Sequence, residues 1–221
     1  MDNILIHDWR YKFVFTMFTL SVVIGIVAVA TGFSQYSVLS DVNNGINISD
    51  ATIESNESLN TIVSIIQTAI AVLTVIAFLL WFYKAHKNTT TISANPLKYS
   101  PAWSVGGFFI PLINLVLPYK IAKEIWYASS DDAYDNNQLN KKPMVGFIMI
   151  WWLLFIFSSG ASRLSSRLIL KAEELQSFIE ATISYIVSDS LIILGSIAAL
   201  YFIKTVSNIQ NTTLSHQNAS S

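Results

Sequence analysis

Trp81–Asn88 reads WFYKAHKN, and after a short polar run Ser100–Ser129 reads SPAWSVGGFFIPLINLVLPYKIAKEIWYAS. Within it, Ala102–Pro118 is apolar but only about 17 residues long, and it holds Gly106, Gly107, Pro111, Asn114 and Pro118. A hydrocarbon core of about 30 Å needs about 20 residues of helix. Pro111 would remove one backbone hydrogen bond and bend any helix that carried it. Non-helical backbone at membrane depth is tolerated only where protein or water covers it. The segment is therefore either a broken helix that is re-entrant or interfacial, over residues 102–130, or a fifth full span.

The residues around it place the chain in a membrane. Of 221 residues, 52% are hydrophobic and only 12% charged, against roughly 25% charged in soluble domains. The formal net charge is −1 with no block of like charge, which argues against nucleic acid as a partner. There is no cysteine, so disulfides, thiolate catalysis and Cys-based metal sites are excluded. His7, His86 and His216 are far apart and form no metal-binding spacing, so no metal and no cofactor are expected.

Four runs are long enough to span: residues 13–34, 61–83, 144–161 and 181–203. The first follows Arg10 and Lys12 and contains Ala28-Val29-Ala30, a pattern shared with cleavable signal peptides, but the run is longer than theirs. Residues 35–60 hold Asp41, Asp50, Glu54 and Glu57 without a Lys or Arg and read as an outside loop. Asn47 and Asn56 each begin an N-x-S triplet there. Trp81, Phe82 and Tyr83 close the second span as an interfacial aromatic cluster, with Lys84, His86 and Lys87 immediately after.

The positive-inside rule decides between the two topologies. With Ala102–Pro118 re-entrant, Arg10, Lys12, Lys84, Lys87, Lys98, Lys120, Lys123, Lys141, Lys142 and Lys204 share one side, and Arg163, Arg167 and Lys171 the other. A full span there would weaken the asymmetry to eight against five. The expected fold is thus all-α, a single membrane domain over residues 1–221, with four transmembrane helices plus the Pro-broken segment, five spans being the alternative. Both termini, including the tail 204–221, are expected to be cytoplasmic, in a bacterial cytoplasmic membrane. Residues 119–130 have Ile121, Ile125 and Trp126 on one face, suit an interfacial helix, and place Lys120 and Glu124 four apart for pairing. Residues 163–180 read as an amphipathic outside helix. Trp151 and Trp152, near the middle of their span, are expected to pack between helices. Asp189 is the only charged residue inside an assigned span. A carboxylate there costs about 2.5–3.5 kcal/mol on insertion scales, so it should be hydrated, meet Arg163 or Arg167, hold a bundle together, or serve as a proton or cation relay.

The chain resembles a bacterial family of small integral membrane proteins, domain of unknown function 4328. The resemblance rests on Trp81, Lys84, Ala85, Asn88, Ser100, Pro101, Val105, Gly106, Pro111, Asn114, Leu115, Pro118 and Ser129, with Lys84 where Arg is commoner and Gly107 where an aromatic is commoner. It implies the fold and supplies no chemistry. No nucleophile with a base, carboxylate pair or ligand set is spaced for catalysis, so no enzyme is expected. The residues left as functional or structural candidates are Asp189, Pro111, Asn114, Pro118, Gly106, Trp81, Lys84 and Asn88. Besides the lipid bilayer, the expected partner is another membrane protein or a second copy. An accessory or scaffold protein working through helix association fits best. A small oligomeric transporter or channel using the broken helix and Asp189, or a membrane-perturbing stress or defence effector, are the alternatives.

Overall fold

The computed structural model describes residues 8–93, 96–130 and 141–220, with side chains from 8 to 93, 96 to 130 and 144 to 215. Four long helices carry the apolar runs: α1 (Trp9–Asn43), α2 (Asp50–Ile92), α5 (Lys141–Lys171) and α6 (Leu175–Ser220). Each contains a segment long and apolar enough to cross a membrane, and no other helix among the described residues does. Between α2 and α5 lie a four-residue helix α3 (Trp103–Gly106), a 3₁₀ turn at Ile113–Leu115, and α4 (Leu117–Ser130).

The helices extend well past the predicted spans, and local caps set both ends of α1 and the start of α2. Asp8 caps α1, its carboxylate accepting the Arg10 backbone N–H at 2.8 Å. Gly45, at φ +77°, closes the other end. There Ile46 N–H donates to Asp41 C=O at 3.0 Å and Gly45 N–H to Val42 C=O at 3.1 Å, a Schellman pair that needs the left-handed residue. Ser49 starts α2, its hydroxyl accepting Thr52 N–H at 3.3 Å. The acidic loop expected over 35–60 is therefore mostly helix, with an irregular link only at 44–49. The Asn56 amide is bound to Ser34 Oγ at 2.8 Å, while Asn47 is exposed. Likewise α5 runs unbroken to Lys171, while residues 175–180 begin α6, which continues through the predicted tail. The run DDAYDNNQLNKKP over 131–143, which by composition reads as a hydrophilic loop, lies outside the described residues at 131–140, and its last three residues begin α5.

Ala102–Pro118 is not one bent helix. After α3, Ile113 N–H reaches back to Pro111 C=O at 2.8 Å, closing a γ-turn on Leu112 at φ 66°, ψ −41°. Pro111 leads into this reversal and Pro118 sits in the first turn of α4, where a missing N–H costs nothing. Among the described residues no helix within 102–118 is long and apolar enough to cross a membrane.

The chain forms two compact units. The first comprises Met1–Phe18, Leu73–Trp152 and Ala198–Ser221. Its interior is aromatic: Phe78 stacks on Phe82 at 5.2 Å, Trp151 on Phe202 at 5.1 Å, and Phe108 meets Phe78, Phe82 and Trp152 edge-on at 6.0 to 6.1 Å. The indole N–H of Trp152 donates to Leu115 C=O at 2.8 Å. The two mid-span tryptophans thus pack between helices and also against the irregular segment.

The second unit comprises Thr19–Val72 and Leu153–Ile197, and its contacts are small. Ile193 and Ile186 of α6 fill notches at Gly25 and Gly32 of α1, where an added Cβ would lie 2.8 and 2.9 Å from their Cγ1 atoms. The seven-residue spacing on both helices marks an antiparallel seam. Ser162 pairs with Ser188 at 2.7 Å and Ser165 with Ser184 at 2.8 Å, tying α5 to α6.

Candidate functional site

In the first unit the ends of α2, α4 and α6 meet around a buried amide. Trp81 is fully buried, its indole N–H donating to Ser207 Oγ at 3.1 Å while its ring meets Phe202 edge-on. One turn on, Ala85 is also fully buried and its C=O accepts from Gln210 Nε2 at 2.9 Å. The same nitrogen donates to Ser129 Oγ of α4 at 2.8 Å, and Asn88 Nδ2 lies 3.4 Å from Gln210 Oε1. Gln210, with zero exposure, thus satisfies both ends of its amide among three helices. A methyl side chain at position 85 leaves the room for that approach, and buried amides persist where every group is paired.

The candidates from the sequence divide between the units. Trp81 and Asn88 belong to this network, while Lys84 next to it is half-buried. Pro111 and Asn114 sit on the irregular segment, exposed and half-exposed, and Pro118 is buried in α4. Gly106 has nothing within 4 Å of an added Cβ, whereas at Gly107 such an atom would strike Leu117 and the Trp103 carbonyl oxygen. Gly107 is thus held by internal packing, a reason for glycine here where an aromatic would collide.

Asp189 lies in the second unit, 9% exposed, and Gln67 Nε2 donates to its Oδ1 at 2.7 Å. Arg163 and Arg167 form no ion pair with it. Of the alternatives open to Asp189, the structure places it in a polar contact within the bundle, where α2 supplies a neutral amide. Glu124, expected to pair with Lys120, instead turns one carboxylate oxygen to within 3.4 Å of His86 Nε2 and accepts the Lys98 backbone N–H with the other.

Sequence reasoning missed Gln210, Ser207, His86 and Glu124. The periodicity of Phe202, Val206 and Gln210, each four residues apart, beside buried Ile203 and Ser207 carried the signal for Gln210. A polar tail label hid it. Among the described residues no group of three or more His, Asp or Glu is placed to hold a metal.

The family described as Domain of unknown function (DUF4328) matches residues 44–208. The chain belongs to this family. No curated protein and no solved structure matches it. In this DUF4328 protein the matched region runs from the start of α2 into α6 and includes Trp81, Asn88, Ser129 and Ser207. Gln210, which joins them, stands two residues beyond its end. These residues form walls of a polar junction between helices, and the family description assigns it no reaction.

Proposed function

We propose that this DUF4328 protein is a multi-pass accessory or scaffold protein of the bacterial cytoplasmic membrane, acting through helix association with another membrane protein. One observation carries the reading: the shape of the α2 surface. Asn56, Val63, Thr74 and Ala77 are buried and Gln67 and Ile70 half-buried, a stripe repeating every three or four residues. Ile62, Ile65, Ile66, Val72, Val75 and Ile76 are exposed, and only 22% of the most apolar window of α2 is buried. On that outer side Ser64, Thr68 and Ala71 are small, and small residues allow a second helix to approach closely.

The polar side chains of the spans point the same way. Asp189 is hydrogen-bonded to Gln67 and stands as a contact within the bundle, so it lends no support to ion transport. Ten of the thirteen basic residues belong to the first unit, which favours that unit on the cytoplasmic side with both termini. Phe108, seated among Phe78, Phe82 and Trp152, supports a segment 102–118 that dips into the bilayer and returns.

The test is native extraction into nanodiscs followed by mass measurement of the complex. A stoichiometric second protein is expected, lost in Ser64→Leu, whose apolar side chain suits lipid at an exposed position. Gly106→Leu, free of internal collision, probes the irregular segment in the same way. A chain extracted alone, or an unchanged complex in both variants, overturns the reading. A pure homo-oligomer replaces it with the channel or transporter class.

A further inference from the structure

The polar junction satisfies its amides and hydroxyls but not its imidazole. His86 is fully buried, one turn of α2 beyond the aromatic cluster at Trp81–Tyr83, and neither ring nitrogen has a hydrogen-bond partner among the described residues. The backbone C=O of the same residue is taken by Thr89 Oγ1 at 2.6 Å. Facing the ring from α4 is Glu124, whose Oε2 is 3.4 Å from Nε2 and is likewise buried without a partner. Its other oxygen, Oε1, accepts the backbone N–H of Lys98. Two unpaired polar groups, one basic and one acidic, thus stand buried side by side, and a single proton on the imidazole would pair them.

We propose that His86 and Glu124 form a buried proton-binding site linking α2 to α4. Loading adds one proton from water to the neutral imidazole and yields an imidazolium–carboxylate pair. Release returns that proton to water and leaves the carboxylate beside a neutral ring. Because Glu124 also holds Lys98 N–H, occupancy is felt at once by α2, α4 and the turn at 96–100. A fully buried ring is not solvated by bulk water, so burial resists the entry of the proton and the carboxylate opposes that resistance.

From α4, Lys120 is exposed and Lys123 lies over the Tyr119 ring at 5.5 Å. From the 96–100 turn, the Lys98 ammonium lies over Tyr99 at 5.8 Å. From α6 the neighbouring network residue is the neutral Gln210, and on α2 itself Lys84 and Lys87 flank the histidine in sequence. Burial pushes the imidazole below its ordinary value, and Glu124 opposes that push by attraction. The sign follows: the unfolded chain, titrating near about 6.5, binds the proton more readily. Stability from this group is therefore full above about pH 6.5 and declines as pH falls through it.

The experiment is a histidine titration by NMR on the full chain in nanodiscs, with ¹⁵N-labelled imidazoles and the His86 signal assigned by its loss in His86→Asn. The expected result is a titrating ring with a midpoint below about 6.5, falling by about one further pH unit in Glu124→Gln as the attracting charge is removed. Glu124→Asp, which keeps the charge but draws it back by one methylene, should give an intermediate midpoint and serves if the glutamine variant does not fold. A midpoint at the ordinary value in the parent chain, or one unmoved by either substitution, overturns the proposal.

Discussion

The two units show two ways of packing the same four helices. In the first, residues 96–130 add a further wall, and the space is filled by Phe78, Trp81, Phe82, Phe108, Trp151 and Phe202, closed at the end by Gln210. In the second, α1 meets α6 at Gly25 and Gly32, paired serines join α5 to α6, and α2 is held by Asn56 to Ser34 and by Gln67 to Asp189. Lipid tails are as apolar as leucine, so helices in a bilayer gain little by burying one apolar surface against another and depend on close approach and hydrogen bonds. Where the extra wall is present, large rings hold the helices. Where it is absent, small residues bring the backbones together.

The sharpest way to break this contrast is to remove the largest buried ring. Trp81→Ala should destabilise the fold by about 3–5 kcal/mol, as large-to-small aromatic substitutions in cores do, seen as a fall in the unfolding midpoint by circular dichroism in nanodiscs. A loss under about 1 kcal/mol would mean that the aromatic cluster is not what holds the first unit.

Overfilling is the matching test of the second unit. Gly25→Leu forces a side chain into space held by Ile193 and should cost about 1–3 kcal/mol, while Gly106→Leu, with open space around it, should leave the unfolding midpoint unchanged. Equal effects of the two would erase the distinction between a notch and an open glycine.

A small effect is expected at the most conspicuous residue. Asp189→Asn keeps an acceptor for Gln67 and should change stability by less than about 1 kcal/mol, since hydrogen bonds between membrane helices average about 0.6 kcal/mol. A large loss in the same unfolding assay would show that the charge, and not the hydrogen bond, matters there.

Much of this was legible in the residues. The four apolar runs are each continuous enough to span, and Pro111 with Pro118 ruled out a simple helix between them, as the γ-turn on Leu112 bears out. The helix ends were less legible, because local caps at Asp8, Gly45 and Ser49 carry the helices beyond the lipid-length runs. The site was half legible. Trp81 and Asn88 stood out within one short motif, but their partners Ser207 and Gln210 lie more than a hundred residues further on and look like ordinary tail residues.

The sequence by itself determined that this is a helical membrane protein with four helices long and apolar enough to span and a broken segment between the second and third, because apolar length and proline act locally along the chain. Only the tertiary structure decided that Asp189 meets Gln67, that Glu124 turns from Lys120 to His86, and that Gln210 joins three helices. These pairings depend on which helix faces come together. That choice is made by packing across long sequence separations, where no spacing rule reaches.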